Sequence, residues 1–475
     1  MPGISSRRSH RYAASANGRV EADPEQLFAM VVECIDEALE RAAAAGAGDF
    51  AGVAACTFWH GLVGVDGDMK PLTPVITWAD TRSAPQAARL GARADAEAAR
   101  QRTGCQMHPS YFPAKLAWLR EQEADVFARV TWWCSVGEYF FGRLFGEKRC
   151  SYSMASGSGL LDRVSLRWDA PLLDLLGVSS GQLSALCDVD EPCRTLLPQY
   201  ASRWPALRGV PWFPALGDGA CSNLGAGCGL PGRLVLMVGT TGAMRIMRER
   251  AAVAVPRGLW GYLLDRSRML LGGVLGDGGN LVEWMGETLN LGRSPREIEE
   301  GLVAAAPAGH GITVLPYLTG ERSTGWNAGA RGAMTGLRSD TTALDILQAG
   351  LEAVAYRFAA VRDRLAESAS VGGEIVATGG AMLASPAWCQ IVADALDAPV
   401  ACSAVEEASS RGAALRALEA LGLFDTAGMT PPVGRRFVPR PRAAEAHRRA
   451  RESQEKLYGA LYGPAPTPPG TPGTP

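Results

Sequence analysis

Alternation of helix-like and strand-like segments is the feature that most constrains the fold of this chain. The segment DPEQLFAMVVECIDEALERA places Asp23 and Pro24 where a helix cap and first turn need them, and its apolar residues recur at helical spacing. The strand-like runs FAGVAACTF and GLVGVD and a turn at DGDMKP follow it. This alternation predicts an α/β fold in which helices cover a sheet.

The length of 475 residues exceeds what one hydrophobic core normally holds, and at about 100–200 residues per domain it predicts two domains. From Pro231 the pattern changes to strand hairpins, LVLMVGTTGAMRI and GYLLDRSRMLLGGVLG, followed by longer helices. We therefore predict one domain over residues 1–230 and a second over 231–462. The tail over 463–475 holds only Pro, Gly, Thr and Ala and is predicted to be disordered.

Charge and cysteine content exclude several classes of partner. The formal net charge is −2, with acids and bases interspersed, so we expect no nucleic acid and no membrane partner but a small molecule. The eleven cysteines form no CxxC pair and indicate buried thiols in the cytoplasm. The sequence contains no apolar run of about 18 residues and no signal-peptide pattern.

The segment LVLMVGTTGAMRI predicts two strands joined at Gly239–Gly242. Such a turn presents backbone N–H groups, and the hydroxyls of Thr240 and Thr241 add donors, which suits phosphate oxygens. An ordinary hairpin turn is the alternative. The motif GCGLPG precedes a strand instead of following one, so it indicates a linker and not a dinucleotide site.

The segment PALGDGACSNLGAG places Asp218 between two glycines, ahead of small residues that predict a closely packed helix. Asp218 could cap that helix. Alternatively, it could act as a general base that takes a proton from a substrate hydroxyl during phosphoryl transfer.

The segment EIVATGGAMLASPAWCQIVADALDAPV predicts a strand, then Gly379-Gly380, then a helix begun by Ser385 and Pro386. Two glycines after a strand let a flat ring approach the backbone closely, although a plain loop is equally compatible.

These segments, in this order, resemble the FGGY carbohydrate kinases of the actin-like ATPase superfamily, from about Arg19 to Tyr462. The segment PYLTGERSTGWNAGARGAMTGL resembles a further signature of that family. The resemblance implies two ribonuclease-H-like domains around a central cleft, with sugar on the first and ATP mostly on the second. It also implies transfer of the γ-phosphoryl group of ATP, with Mg²⁺, to a sugar hydroxyl.

The resemblance assigns roles to particular residues. It makes Asp218 the catalytic base and gives the chain itself no metal ligand. Around this base it implies an ATP site formed by Gly239, Thr240, Thr241, Gly242, Gly379, Gly380 and Ala381, and a substrate site formed by Trp59, His60, Trp78, Asp80, Arg82 and Asp218.

The segments FWHG and WADTR look more like the gluconate-kinase branch than like xylulose or glycerol kinases. A sugar acid favours a cation in its site, and Arg82 is a candidate, with a salt bridge between loops as the alternative. Gluconate is therefore the expected substrate, xylulose or another polyol is the alternative, and a homodimer is left open.

The family opens with two strands around an Asp-x-Gly-Thr turn, whereas this chain matches the later family pattern from about Tyr12. We therefore expect the first domain to lack its initial strands and to expose a strand edge and an apolar face. The segment PGISSRR has a faint likeness to a Gly-Thr-Ser-Ser turn, but no strand precedes it and it contains no aspartate. Either the start is assigned too far downstream, or the chain is a degenerate protein that binds sugar or nucleotide without transferring phosphate.

Overall fold

The computed structural model describes residues 4–47, 49–93, 96–229, 231–250, 254–368 and 370–463. Its strands are β1 (Ala13–Ala14), β2 (Val20–Ala22), β3 (Cys56–Thr57), β4 (Leu62–Val65), β5 (Val75–Ile76), β6 (Trp132–Ser135), β7 (Arg149–Ser151), β8 (Leu161–Asp162), β9 (Arg167–Trp168), β10 (Ala185–Cys187), β11 (Leu216–Gly217), β12 (Leu234–Val238), β13 (Gly242–Glu249), β14 (Trp260–Leu263), β15 (Arg268–Leu275), β16 (Thr313–Leu315), β17 (Ala333–Thr335), β18 (Ile375–Thr378), β19 (Val400–Ser403) and β20 (Val433–Phe437).

The helices are α1 (Pro24–Ala44), α2 (Ala84–Arg93), α3 (Ala96–Thr103), α4 (Phe112–Gln122), α5 (Ala124–Arg129), α6 (Val136–Phe145), α7 (Tyr152–Ser158), α8 (Ala170–Leu176), α9 (Pro198–Arg203), α10 (Asp218–Gly225), α11 (Gly279–Thr288), α12 (Pro295–Ala304), α13 (Ala343–Ala366), α14 (Gly380–Leu383), α15 (Pro386–Leu396), α16 (Ala408–Ala420) and α17 (Pro441–Tyr462). None of the described helices is long and apolar enough to cross a bilayer.

The first large sheet has the strand order β1-β2-β5-β4-β6, with antiparallel neighbours throughout. Helix α1 begins as predicted: the Asp23 side chain accepts from the N–H groups of Glu25 and Gln26, and Pro24 occupies the first turn. Leu27 and Phe28 on one face of α1 are buried in the core. The helix-and-sheet layering predicted for the start of the chain is confirmed.

The predicted strand over FAGVAACTF is shorter than expected. Only Cys56–Thr57 form a strand, which pairs in parallel with the equally short β11, and Val53 adds a single bridge. An open apolar groove of about 680 Å³ lies beside β3, with Cys34, Ala55 and Ala414 among its lining residues. Residues 4–12 form no helix or strand, so no ladder there extends this pairing.

The second large sheet has the order β14-β15-β13-β12-β18-β19-β20 and holds both predicted hairpins. Strands β12 and β13 pair antiparallel with Val238 opposite Gly242, so the chain reverses at Gly239–Thr241. Strand β18 pairs in parallel with both β12 and β19, which brings the ends of β12 and β18 to one edge. This sheet positions the two glycine-rich segments together.

The domain limits near residue 230 remain a prediction, and residue 230 itself lies outside the described residues. Most of the predicted disordered tail, from residue 464 onward, also lies outside them.

Candidate active site

Asp218 lies where β11 runs directly into α10. Gly217 takes the N-cap position and makes no side-chain cap, so Asp218 is the first helical residue and the capping alternative is not observed. Asp218 is partly exposed, and its Oδ1 accepts from the N–H of Gly219 at 2.7 Å. The carboxylate is therefore available to a substrate.

Burial raises the pKa of Asp218, and the neighbouring Arg245 offsets part of that rise. The guanidinium of Arg245 is buried and donates from Nη1 to the backbone oxygen of Gly219 at 2.9 Å. A carboxylate with a raised pKa accepts a proton more readily than an ordinary surface aspartate. Sequence analysis missed Arg245, although it is the arginine that ends the quoted segment VGTTGAMR.

The structure brings Trp59 next to the Asp218 turn, and the centroid of the His60 ring lies 6.4 Å from that of Trp59. A Cβ on Gly217 would lie 1.8 Å from Trp59 Cε2, so only glycine allows the indole to pack there. The Trp59 Nε1–H donates to the backbone oxygen of Ser153 at 2.9 Å. Burial lowers the pKa of His60 to about 3, so its imidazole is neutral at physiological pH.

Asp80 and Arg82 form an ion pair with each other. Asp80 is buried and accepts from the backbone N–H of Val20 at 3.0 Å. The Arg82 Nη2 pairs with Asp80 at 2.8 Å and also with Glu21. The structure favours the salt-bridge alternative for Arg82, because two carboxylates already balance its charge.

Trp78 is partly exposed, and its backbone oxygen accepts from the hydroxyl of Ser110 at 2.9 Å.

The Gly239–Gly242 turn rests on the start of α11. Gly279 N–H donates to Gly239 O at 2.8 Å, and Asn280 N–H donates to Thr240 O at 3.1 Å. Thr240 is exposed and Thr241 is partly exposed, so both hydroxyls are accessible. Sequence analysis missed the support from α11, for which the motif DGGN after a strand was the available signal.

The segment Gly379–Ala381 packs against this turn. Gly379 has φ +92°, and a Cβ there would lie 2.3 Å from the backbone oxygen of Val238, the residue before Gly239. Gly380 is exposed, and a Cβ built on it would meet open space. Ala381 lies beside Gly279, since their Cβ positions would be 2.8 Å apart. This arrangement of accessible hydroxyls and open glycine surface fits a nucleotide.

Among the described residues, no group of three or more His, Cys, Asp or Glu side chains could hold a metal ion. All eleven cysteines are free thiols.

Comparisons with known proteins agree with this geometry. The family model "FGGY family of carbohydrate kinases, N-terminal domain" matches residues 4–225, and the corresponding C-terminal domain model matches residues 234–421. Gluconokinase from Bacillus subtilis is 28% identical over 377 residues, covering 77% of this chain and 74% of the relative. Xylulose kinase from Streptomyces rubiginosus is 30% identical over 470 residues, covering 98% of this chain and 92% of the relative.

Among solved structures, gluconate kinase from Lactobacillus acidophilus superposes with a TM-score of 0.89 at 25% identity, covering 96% of this chain and 92% of that one. The match confirms the predicted two-domain, actin-like ATPase architecture. These kinases are phosphotransferases. Two family models that together span most of the chain, and relatives aligned over nearly its full length, show that this chain belongs to the FGGY family of carbohydrate kinases.

Proposed function

We propose that this chain transfers the γ-phosphoryl group of ATP to a hydroxyl of a sugar or sugar acid, with gluconate as the preferred acceptor. The observation that carries the proposal is the partly exposed Asp218, whose pKa is raised by burial and which lies on a tight turn beside Trp59. A carboxylate in this state can remove a proton from a substrate alcohol.

In the proposed reaction Asp218 accepts the hydroxyl proton while the hydroxyl oxygen attacks the γ-phosphorus of ATP. The bond from that phosphorus to the bridging oxygen breaks, and ADP leaves with the electron pair. The turn at Gly239–Gly242 and the segment Gly379–Ala381 would hold the nucleotide. Mg²⁺ carried by ATP would supply charge neutralisation on the phosphates.

Gluconate is supported by the gluconokinase from Bacillus subtilis and the gluconate kinase structure from Lactobacillus acidophilus. Xylulose or another polyol is the alternative acceptor, supported by the xylulose kinase from Streptomyces rubiginosus. A second alternative is a protein that binds sugar and nucleotide without turnover.

A coupled assay of ADP release, with gluconate, xylulose and glycerol as acceptors, tests the proposal. We expect ADP release to depend on the acceptor and to be fastest with gluconate. Faster release with xylulose would favour the polyol alternative. Thermal stabilisation by gluconate and ATP without ADP release would contradict kinase activity and favour the binding alternative.

We also propose a cytoplasmic location, which the eleven free thiols support. A homodimer remains a prediction that sedimentation analysis would test.

A further inference from the structure

Arg322 lies in the Gly-Glu-Arg segment between β16 and β17, and its acidic neighbour does not balance its charge. Glu321 Oε1 accepts from Arg357 Nη2 at 2.8 Å, and Glu321 Oε2 accepts from the hydroxyl of Tyr458 at 2.6 Å. The N–H of Gly325 also donates to Glu321 Oε1 at 3.1 Å, and all of these partners belong to the second half of the chain. The carboxylate is therefore committed to Arg357, and Arg322 is left to other contacts.

The side-chain hydrogen bond of Arg322 reaches the first half of the chain. Its Nη2 donates to Ser110 Oγ at 2.7 Å, and that hydroxyl in turn donates to the backbone oxygen of Trp78 at 2.9 Å. Among the residues that the structure describes, no carboxylate pairs with Arg322. A guanidinium has five N–H donors and the hydrogen bond to Ser110 uses one of them, so the others can serve a ligand.

The titratable side chains near Arg322 include a histidine and a lysine. Burial lowers the pKa of His108, and the nearby Arg322 lowers it further. Burial also lowers the pKa of Lys115 to about 7, and the Lys115 amine donates to the backbone oxygens of His60 and Ile76 instead of to a carboxylate. An uncompensated cation in such surroundings costs free energy, and a bound anion would offset that cost.

Arg82 provides the contrast within the same region. Its guanidinium pairs with both Asp80 and Glu21, and it stacks over the ring of Trp118 at 4.4 Å. A bound anion would have to compete with two carboxylates for Arg82, whereas Arg322 presents no such competition. The cation expected from the sequence for an acidic substrate is thus better matched by Arg322.

Aromatic residues next to the Asp218 turn also lie close to Arg322. Trp59 packs on Gly217 next to Asp218, and its ring centroid lies 4.8 Å from that of Tyr262. The hydroxyls of Tyr262 and Tyr111 are 2.5 Å apart, and Tyr111 directly follows Ser110, the partner of Arg322. Burial lowers the pKa of Arg322, and Tyr111 and Tyr262 raise it electrostatically, so Arg322 lies close to these rings.

We propose that Arg322 binds the carboxylate of a sugar-acid substrate and thereby selects aldonates over neutral polyols. The inference rests on the proposed kinase function, since it names the substrate class of that same site. An aldonate carries its carboxylate at one end and a primary hydroxyl at the other. Binding of the carboxylate at Arg322 would direct that distant hydroxyl towards Asp218.

Calorimetric binding of gluconate and glucitol, in the absence of ATP, tests the proposal. The two ligands share a carbon chain and differ in whether its first carbon is a carboxylate or an alcohol. We expect wild type to prefer gluconate, and Arg322→Gln to weaken gluconate binding by about 10- to 100-fold, the range of a lost charge-assisted hydrogen bond. Glucitol binding should remain close to that of wild type.

Arg322→Lys keeps the charge without the planar guanidinium, so we expect an intermediate loss of gluconate binding. Arg338→Gln is the matched control, because Arg338 is exposed and paired with Asp340, and it should leave both affinities unchanged. Melting curves without ligand establish that each variant folds.

The inference would be overturned if Arg322→Gln lost affinity for gluconate and glucitol equally. It would also be overturned if wild type bound glucitol as tightly as gluconate. Failure of wild type to bind gluconate would overturn it as well. Arg322-dependent gluconate binding without ADP release would support the inference while contradicting the kinase function. If the protein releases ADP and Arg322→Gln still prefers gluconate as strongly as wild type, the kinase function would be supported and the inference contradicted.

Discussion

Asp218 combines accessibility with a pKa raised by burial, the two properties that a general base needs. Its charged form is disfavoured in the folded protein. The stability contribution of such a group is present below the unfolded pKa and is lost as the pH rises through the folded pKa. The ionised carboxylate is therefore a stability cost that the folded protein carries at neutral pH.

Substitution Asp218→Asn should lower turnover by about 10²- to 10⁴-fold, the usual range for loss of a general base. At neutral pH its Tm should be at least that of wild type, because the neutral amide avoids the cost of the buried charge. ADP-release kinetics and calorimetric melting measure the two effects. Near-wild-type turnover would remove Asp218 from the mechanism, and a clearly lower Tm would indicate a structural role.

The pH dependence of kcat/KM should report the ionisation of Asp218. Activity requires the deprotonated carboxylate, so it should fall as the pH drops through a pKa above the ordinary aspartate value of 3.8. Arg245 lowers that pKa, so Arg245→Gln should move the acidic limb to higher pH. An unchanged limb in a folded Arg245→Gln variant would contradict this assignment.

At the scale of elements, the ends of β12 and β18 meet at one edge of the second sheet. There Gly379 lies against the backbone of Val238. Gly379 has φ +92°, and a Cβ would lie 2.3 Å from Val238 O, whereas a Cβ on Gly380 would meet open space. A methyl group added at Gly379 would therefore clash with the backbone, whereas one added at Gly380 would not.

Substitution Gly379→Ala should destabilise the protein by about 1–3 kcal/mol, because it adds both a disfavoured φ and a backbone clash. The matched substitution Gly380→Ala should change the free energy of unfolding by no more than about 0.5 kcal/mol. Urea denaturation of both variants measures the difference. Equal effects would show that close packing of these strand ends is not what requires glycine at 379.

At the scale of the whole molecule, hydrogen bonds join the two halves of the chain around the proposed substrate site. Gly261 N–H donates to Gly104 O at 2.9 Å, and the Tyr111 and Tyr262 hydroxyls are hydrogen-bonded to each other. Both tyrosines are buried. Tyr111 and Tyr262 therefore belong both to the lining of the proposed substrate site and to the contact between the two halves.

A double-mutant cycle of Tyr111→Phe and Tyr262→Phe should show coupling across this contact. Each single variant removes one side of this buried hydrogen bond, at a cost of about 1–3 kcal/mol, whereas the double variant removes both hydroxyls. We expect the double variant to lose less than the sum of the singles by about 0.5–3 kcal/mol, as measured by chemical unfolding. Strictly additive losses would contradict the coupling.

Local pattern was sufficient for most elements of the fold. Helix α1 with Asp23 as its cap, the hairpin of β12 and β13, and α15 begun by Ser385 and Pro386 all form as predicted. Caps and periodic apolar residues act over a few positions of the chain, so the sequence displays them directly. The strand over FAGVAACTF was predicted too long, because strand length depends on the ladder partner and not on the segment alone.

The sequence by itself determined the α/β class, the order of the glycine-rich segments and Asp218 as the candidate base. Only the tertiary structure decided which arginine is available to an acidic substrate. Arg82 pairs with Glu21, 61 positions away, and Arg322 reaches Ser110, 212 positions away. Such pairings depend on how distant segments pack, which a single sequence does not display, whereas caps, turns and periodicity depend on neighbours along the chain.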